Sequence, residues 1–184
     1  ETLAPEALVQ LAEDTRQKYG NIGVAFTYNE PLVSYEYVLD CAKLLRERGL
    51  AVVLVTNGQM CAEPLQNLLP YVDAMNIDLK GFTQTFYDWI SGDLETTKTA
   101  IRLAAEAGVH VEVTTLVIPS RNDNEKEMEA EARWLASISS EIPLHLSRYF
   151  PRYHCEIPMT PIKTLEKLQE IAKHHLHYVY LGNV

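Results

Sequence analysis

Five times along this chain an apolar run stops in groups that bind ligands or move protons. Tyr28, Asn29 and Glu30 follow the run at 22–26, with Pro31 directly behind them. Thr56 and Asn57 follow "AVVLV" at 51–55. Asn76, Asp78 and Lys80 alternate through the run that begins at Val72, which places all three on one strand face. Glu112, Thr114 and Thr115 interrupt "VHVEVTTLVI" at 109–118, and Ser120, Arg121, Asn122 and Asp123 follow Pro119. His145, Ser147 and Arg148 end the fifth run. Lys80 and Arg148 suit a carboxylate or a phosphate. Asp78 and Glu30 suit an ammonium or a ribose diol. The combined set suits a zwitterion better than a simple anion. No glycine-rich phosphate loop follows any run.

Taken singly, each group has a plain structural reading. Thr56-Asn57-Gly58 reads as a turn, and Asp78-x-Lys80 as a surface ion pair. Five polar ends in succession predict one shared pocket above a packed core. Two further chemistries stay open. Lys80 would serve a barrel aldolase as a Schiff-base lysine. A domain that binds a nucleoside or a partner without turnover would use the same groups.

The elements that must position these residues alternate in type. Pro5 opens a helix bearing Leu8, Leu11, Ala12 and Thr15, stopped by Gly20. The run at 22–26 reads as a buried strand. Ser34 suits the cap of a helix with Val38, Cys41, Ala42 and Leu45 at helical spacing, closed by Gly49. "AVVLV" reads as a strand buried on both faces. A short helix over 62–69 ends at Pro70, and 72–79 is a third strand. Asp93 and Asn124 begin two longer helices around a fourth strand at 109–118. A fifth strand covers 143–147, Thr160-Pro161 opens a last helix, and 177–181 is a sixth strand. This order predicts an α/β fold with βαβ units, right-handed crossovers and a mostly parallel sheet. In such folds ligands bind at the carboxyl ends of the strands, where the five polar groups fall.

The chain of 184 residues is one domain's worth, with 47% apolar and 22% charged residues. Lys and Arg number 16 against 25 Asp and Glu, a formal charge of −9. That balance disfavours nucleic acid as the main partner. No apolar run approaches the roughly 18 residues of a membrane span, so no membrane partner is expected. Cys41, Cys61 and Cys155 are few, odd in number and not at metal-ligand spacing. Reduced thiols and a cytoplasmic setting follow.

The ordered set "YNEP" (28–31), "VTNG" (55–58), "IDLK" (77–80) and "VIP" (117–119) with Asp123 resembles the radical S-adenosylmethionine enzymes. It is most similar to the pyruvate formate-lyase activating enzyme group. Within that group, "FTYNEP", "SRYFPRY" and "YVYLGNV" resemble the radical protein of the AmmeMemoRadiSam system. The resemblance covers nearly the whole chain and lies in the order of its elements rather than in any one of them. It implies a partial (βα)6 TIM-like barrel, here missing the first strand, as a single domain over 1–184 that is incomplete at both ends. It implies S-adenosylmethionine and a [4Fe-4S] cluster as cofactors, a 5′-deoxyadenosyl radical and hydrogen abstraction. The implied partners are a glycyl radical enzyme or a small molecule as substrate, and an electron donor such as flavodoxin or ferredoxin.

The family's second strand usually ends in Gly-Gly-Glu-Pro beside the methionine ammonium. Residues 28–31 depart at both glycines and keep Glu30 and Pro31. By resemblance, Tyr28, Asn29 and Glu30 face the cofactor's amino-acid end, and Thr56, Asn57, Asp78 and Lys80 line its cleft. Thr114 and Arg148 fall where relatives place polar contacts. The family's cluster is held by Cys-x3-Cys-x2-Cys, and this chain has no such motif. The expectation is a truncated chain, inactive alone, whose parent is a radical oxidoreductase. The sequence also predicts a tendency to self-associate along an unpaired strand edge. His174, His175 and His177 read as helix C-terminal histidines rather than metal ligands.

Overall fold

The computed structural model describes residues 3–184. The helices are α1 (Pro5–Tyr19), α2 (Tyr35–Glu47), α3 (Ala62–Leu68), α4 (Gln84–Trp89), α5 (Leu94–Glu106), α6 (Glu125–Ile138) and α7 (Ile162–Lys173). The strands are β1 (Gly23–Phe26), β2 (Ala51–Thr56), β3 (Ala74–Asp78), β4 (His110–Val117), β5 (Leu144–Arg148) and β6 (Val179–Gly182). They form one sheet in the order β1-β2-β3-β4-β5-β6, and every neighbouring pair is parallel. Sequential parallel strands joined by helices make part of a βα barrel, with β1 and β6 as its two edges. Among the described residues, no helix is long and apolar enough to cross a membrane.

One sheet face carries the core. Val52 and Leu54, Met75 and Ile77, Val111 and Val113, and Leu144 and Leu146 are buried there. They pack with Cys41, Ala42 and Leu45 of α2, Ile101 and Ala104 of α5, Leu135 of α6 and Leu165 of α7 in one apolar cluster. Burying a side chain of this size contributes about 1.5–3 kcal/mol. The other face is half-exposed along β2, β3 and β4, and is the concave face of the barrel. Parallel register stacks its side chains in rows. One row holds Val55, Asn76 and Glu112, and the next holds Asp78, Thr114, His145 and Tyr180.

Four local expectations are corrected, and one short helix went unread. "AVVLV" is buried on one face only, because among the described residues no layer covers the concave face. The strand at β1 lies at the sheet edge, so Ala25 is exposed and Ile22 is 77% exposed. Leu11 faces water, and α1 packs through Ala12, as read, together with Val9. Among the described residues the Ser34 side chain makes no capping bond; a 3-10 turn over Pro31–Ser34 leads into α2, and the Glu30 carboxylate caps that turn through Leu32 N at 3.1 Å. The short helix α4 carries too few residues to show a period, and buries Phe86 and Tyr87. Asp93 and Asn124 cap α5 and α6 as read, accepting from Thr96 N at 2.7 Å and Glu127 N at 2.8 Å. Gly23 starts β1 where a Cβ would stand 1.9 Å from the Ala51 carbonyl oxygen, so no side chain fits there.

Candidate functional site

Glu30 leaves β1 and reaches across to the end of β2. Its Oε1 accepts from the Thr56 hydroxyl at 2.6 Å and from Leu32 N, and its Oε2 accepts from Asn57 N at 2.7 Å. Thr56 is 2% exposed, and its hydroxyl oxygen also accepts from Gly58 N at 3.1 Å. One carboxylate therefore ties two strand ends together through charge-assisted bonds. Asn57 closes its own turn by accepting from Gln59 N at 2.8 Å. Gly58 has φ +69°, and a Cβ there would stand 3.0 Å from Ile77, so the turn needs glycine.

Asp78 and Lys80 leave β3 on the concave side as a 2.8 Å ion pair. The two side chains are 32% and 40% exposed, which makes them available to a ligand. Behind them the buried Tyr87 hydroxyl accepts from Lys80 N at 3.3 Å. Burial pushes that phenol up to about 12, so it stays neutral. A cleft of about 260 Å³ opens between the ends of β1, β2 and β3. Tyr28, Asn29 and Glu30 form one wall, Thr56 and Asn57 the next, and Asp78 and Lys80 the third. A smaller hollow of about 150 Å³ adjoins it, sharing Asn57, Asp78 and Lys80 and adding Gln59 and Tyr87.

The remaining two sequence-predicted residues lie apart from this cleft. Thr114 shares the row of Asp78 one strand away, and its hydroxyl donates to the Asn76 amide oxygen at 3.0 Å. Arg148 points elsewhere: Nε donates to Thr160 O at 2.7 Å, and the guanidinium lies 4.9 Å from the Phe150 ring centroid. It lines a separate hollow with Leu116, Phe150 and Arg152.

Several polar residues at strand ends act as clamps, which residue type alone does not reveal. Asn122 is 2% exposed and uses every polar atom. It donates to Lys80 O at 2.7 Å and Leu116 O at 2.9 Å, and accepts from Ile118 N at 2.6 Å. This amide fixes the backbone of Lys80. Thr160 donates to Val117 O at 2.5 Å and so joins the loop before α7 to β4. Thr115 turns to the opposite face from Thr114 and meets Leu79 O at 2.9 Å and Glu131 at 2.5 Å.

The concave face also carries a pair that inspection of strand ends did not connect. Glu112 Oε2 lies 2.7 Å from His145 Nε2, and its Oε1 lies 3.1 Å from His110 Nε2. The hydrogen bond with His110, reinforced by that with His145, holds the Glu112 carboxyl below its ordinary value against the opposing effect of burial. Glu112 stands alone between Val111 and Val113, and that break in the apolar run was the available signal.

The cysteines do not suit an iron–sulfur cluster. Cys41 is on the buried face of α2, Cys61 precedes α3 and Cys155 lies in the loop after β5. Among the described residues, no group of three or more His, Cys, Asp or Glu side chains is placed to hold a metal ion. His177 lies beyond the end of α7 and pairs with Glu141.

A family model described as the Radical SAM superfamily matches residues 1–135. An uncharacterized protein of Methanocaldococcus jannaschii is 39% identical over 185 residues, covering 99% of this chain and 54% of its own length. The (2S)-3-sulfopropanediol dehydratase activating enzyme of Klebsiella oxytoca is 28% identical over 116 residues, covering 61% of this chain and 36% of its own. The chain thus spans about half the length of the first of these relatives and less of the second. A crystal structure of a domain of pyruvate-formate lyase-activating enzyme from Bacteroides vulgatus superposes with a TM-score of 0.74 at 22% identity. That match covers 88% of this chain and 99% of the other, and it shows a shared fold.

Proposed function

Since the chain belongs to the radical SAM superfamily, we propose that the cleft between the ends of β1, β2 and β3 binds S-adenosylmethionine. The observation that carries this reading is the convergence of amides, a carboxylate and an ammonium on one concave cleft. A zwitterion needs both signs of charge within reach, and Asp78 and Lys80 supply them. Asn29 and Asn57 offer amides for the amino-acid end. The Glu30 carboxylate already serves three donors, so its part is to hold the Asn57 turn in place. Tyr28 is 91% exposed and forms the outer rim. Thr114 borders the same face. Arg148 joins the site only by exchanging its bond to Thr160.

The whole protein, on this reading, is an oxidoreductase of the activating-enzyme type. Its substrate is a glycyl radical enzyme or a small molecule, its reductant is of the flavodoxin or ferredoxin kind, and its setting is the cytoplasm. The [4Fe-4S] cluster does not fit the three cysteines of this chain. These 184 residues alone are expected to yield no 5′-deoxyadenosine.

A Schiff-base lysine works from a desolvated amine. Lys80 is instead 40% exposed and paired with Asp78, so the aldolase reading is not favoured.

Calorimetry with S-adenosylmethionine tests the cofactor site directly. Saturable binding that weakens about tenfold in Lys80→Ala and Asp78→Ala supports it, a loss of about 1.4 kcal/mol. No saturable heat from folded protein overturns it.

A further inference from the structure

Outside the proposed cofactor cleft, the concave face carries a second cluster made of Glu112, His110, His145 and Tyr180. An ionised carboxylate only accepts hydrogen bonds, so both imidazole Nε2 atoms facing Glu112 carry hydrogen. In the neutral imidazole with hydrogen on Nε2, each Nδ1 is then a bare acceptor. Each carboxylate oxygen keeps a further lone pair beyond the one its histidine uses. The Tyr180 ring stacks on His145 with centroids 5.4 Å apart and is itself half-exposed. Among the described residues, Glu112 is bridged by these two histidines and by no lysine or arginine. With both imidazoles neutral, the cluster bears one net negative charge. Glu112 and His145 are 36% and 31% exposed, so the charge is partly desolvated yet open to a ligand.

With both imidazoles neutral, every position this cluster leaves open apart from the tyrosine hydroxyl is an acceptor, and an aromatic ring lies alongside. That combination selects a cation rich in hydrogen-bond donors. We propose that Glu112, flanked by His110 and His145 and bordered by Tyr180, binds a cationic group of the substrate, an ammonium or a guanidinium. The placement suits a substrate. His145 shares the row of Asp78 two strands away, about 10 Å by the spacing of parallel strands. A molecule in the cleft and a second one on Glu112 lie side by side on the same face. Assigning this cation to the substrate rests on the proposed function; the binding of the cation does not.

The test is a titration of the imidazole resonances of His110 and His145 with n-butylguanidinium. Its neutral isostere n-butylurea serves as the control. The expected result is saturable shifts with the cation, about tenfold weaker binding of the urea, and a similar loss in Glu112→Gln. Affinity should also fall as salt is added. Equal binding of cation and urea by the unaltered protein overturns the proposal, whatever the folding of the variant. So does an absence of saturable shifts up to the solubility of the probe. Calorimetry with S-adenosylmethionine on the same samples keeps the two readings separate. Cation binding without cofactor binding removes the cofactor site and leaves this one standing. Cofactor binding without cation binding removes only this one.

Discussion

Replacing Glu131 by Gln should abolish most of a pH dependence in stability that originates in one buried carboxyl. Glu131 sits on the inner face of α6 and is 1% exposed. Its only hydrogen-bond partner among the described residues is Thr115 Oγ1, at 2.5 Å. The Thr115 hydroxyl also lies 2.9 Å from the Leu79 carbonyl oxygen, which can only accept. Thr115 has one hydrogen to give. When Leu79 receives it, the contact with Glu131 needs a proton from the carboxyl. Burial, opposed by the Thr115 bond, pushes Glu131 up to about 8 from 4.5, so the neutral acid is the native form at neutral pH.

The folded state therefore holds a proton that the unfolded chain releases above its ordinary carboxyl value. This contribution to stability is complete below that value and is lost as pH rises through about 8. Between those limits the loss runs at about 1.4 kcal/mol per pH unit. From about pH 6 to about pH 7.5 the group removes about 2 kcal/mol. Gln keeps the shape, donates to Thr115 as the acid did, and does not titrate. Urea unfolding of both proteins at several pH values, taken as the difference between them, isolates this one group. The unaltered protein should lose about 2 kcal/mol relative to the variant across that interval. A difference independent of pH would refute the reasoning, since Glu131 would then be ionised in the fold or titrate as in the unfolded chain.

Other variants probe the clamps that shape the site. Glu30→Gln leaves one acceptor oxygen for three donors and should cost about 2 kcal/mol in urea unfolding; an unchanged midpoint would show that the carboxylate is not the tie between β1 and β2. Asn122→Ala removes three buried hydrogen bonds and should cost about 3 kcal/mol. The same variant should weaken S-adenosylmethionine binding, because Asn122 fixes the Lys80 carbonyl, and unaltered affinity in a folded protein would separate that clamp from the site. Gly23→Ala should prevent β1 from pairing with Ala51 and broaden amide signals at that edge; a variant as stable as the parent would show that the edge relaxes freely.

Much of the architecture was legible because its causes are local. Helical spacing at Val38, Cys41, Ala42 and Leu45 and caps such as Asp93 and Asn124 act within one turn or two. The helix α4 was missed because six residues hold no readable period, and its buried rings respond to packing rather than to neighbours in sequence. The pair Glu127 and Glu131 had a sequence signal in its spacing beside Met128 and Ala132 on the apolar face of α6. That signal places the carboxyls inward but names no partner for them.

The polar strand ends were likewise legible as a class, since parallel βα units bring the carboxyl ends of their strands to one side. What each polar residue does there depended on register and reach. Thr114 and Thr115 are neighbours in sequence, yet one meets Asn76 on the concave face and the other meets Glu131 under a helix. A strand reverses its side chains at every residue, so facing is set by which side the helices cover. Glu30 finds Thr56 and Asn57 across the sheet, and Glu112 finds His145 on the next strand. The sequence by itself determined the alternating βα order, the supply of charges and amides, and the end of the sheet where they gather. Only the tertiary structure decided which became clamps and which stayed free for a ligand, because those bonds join residues that chain-local forces do not bring together.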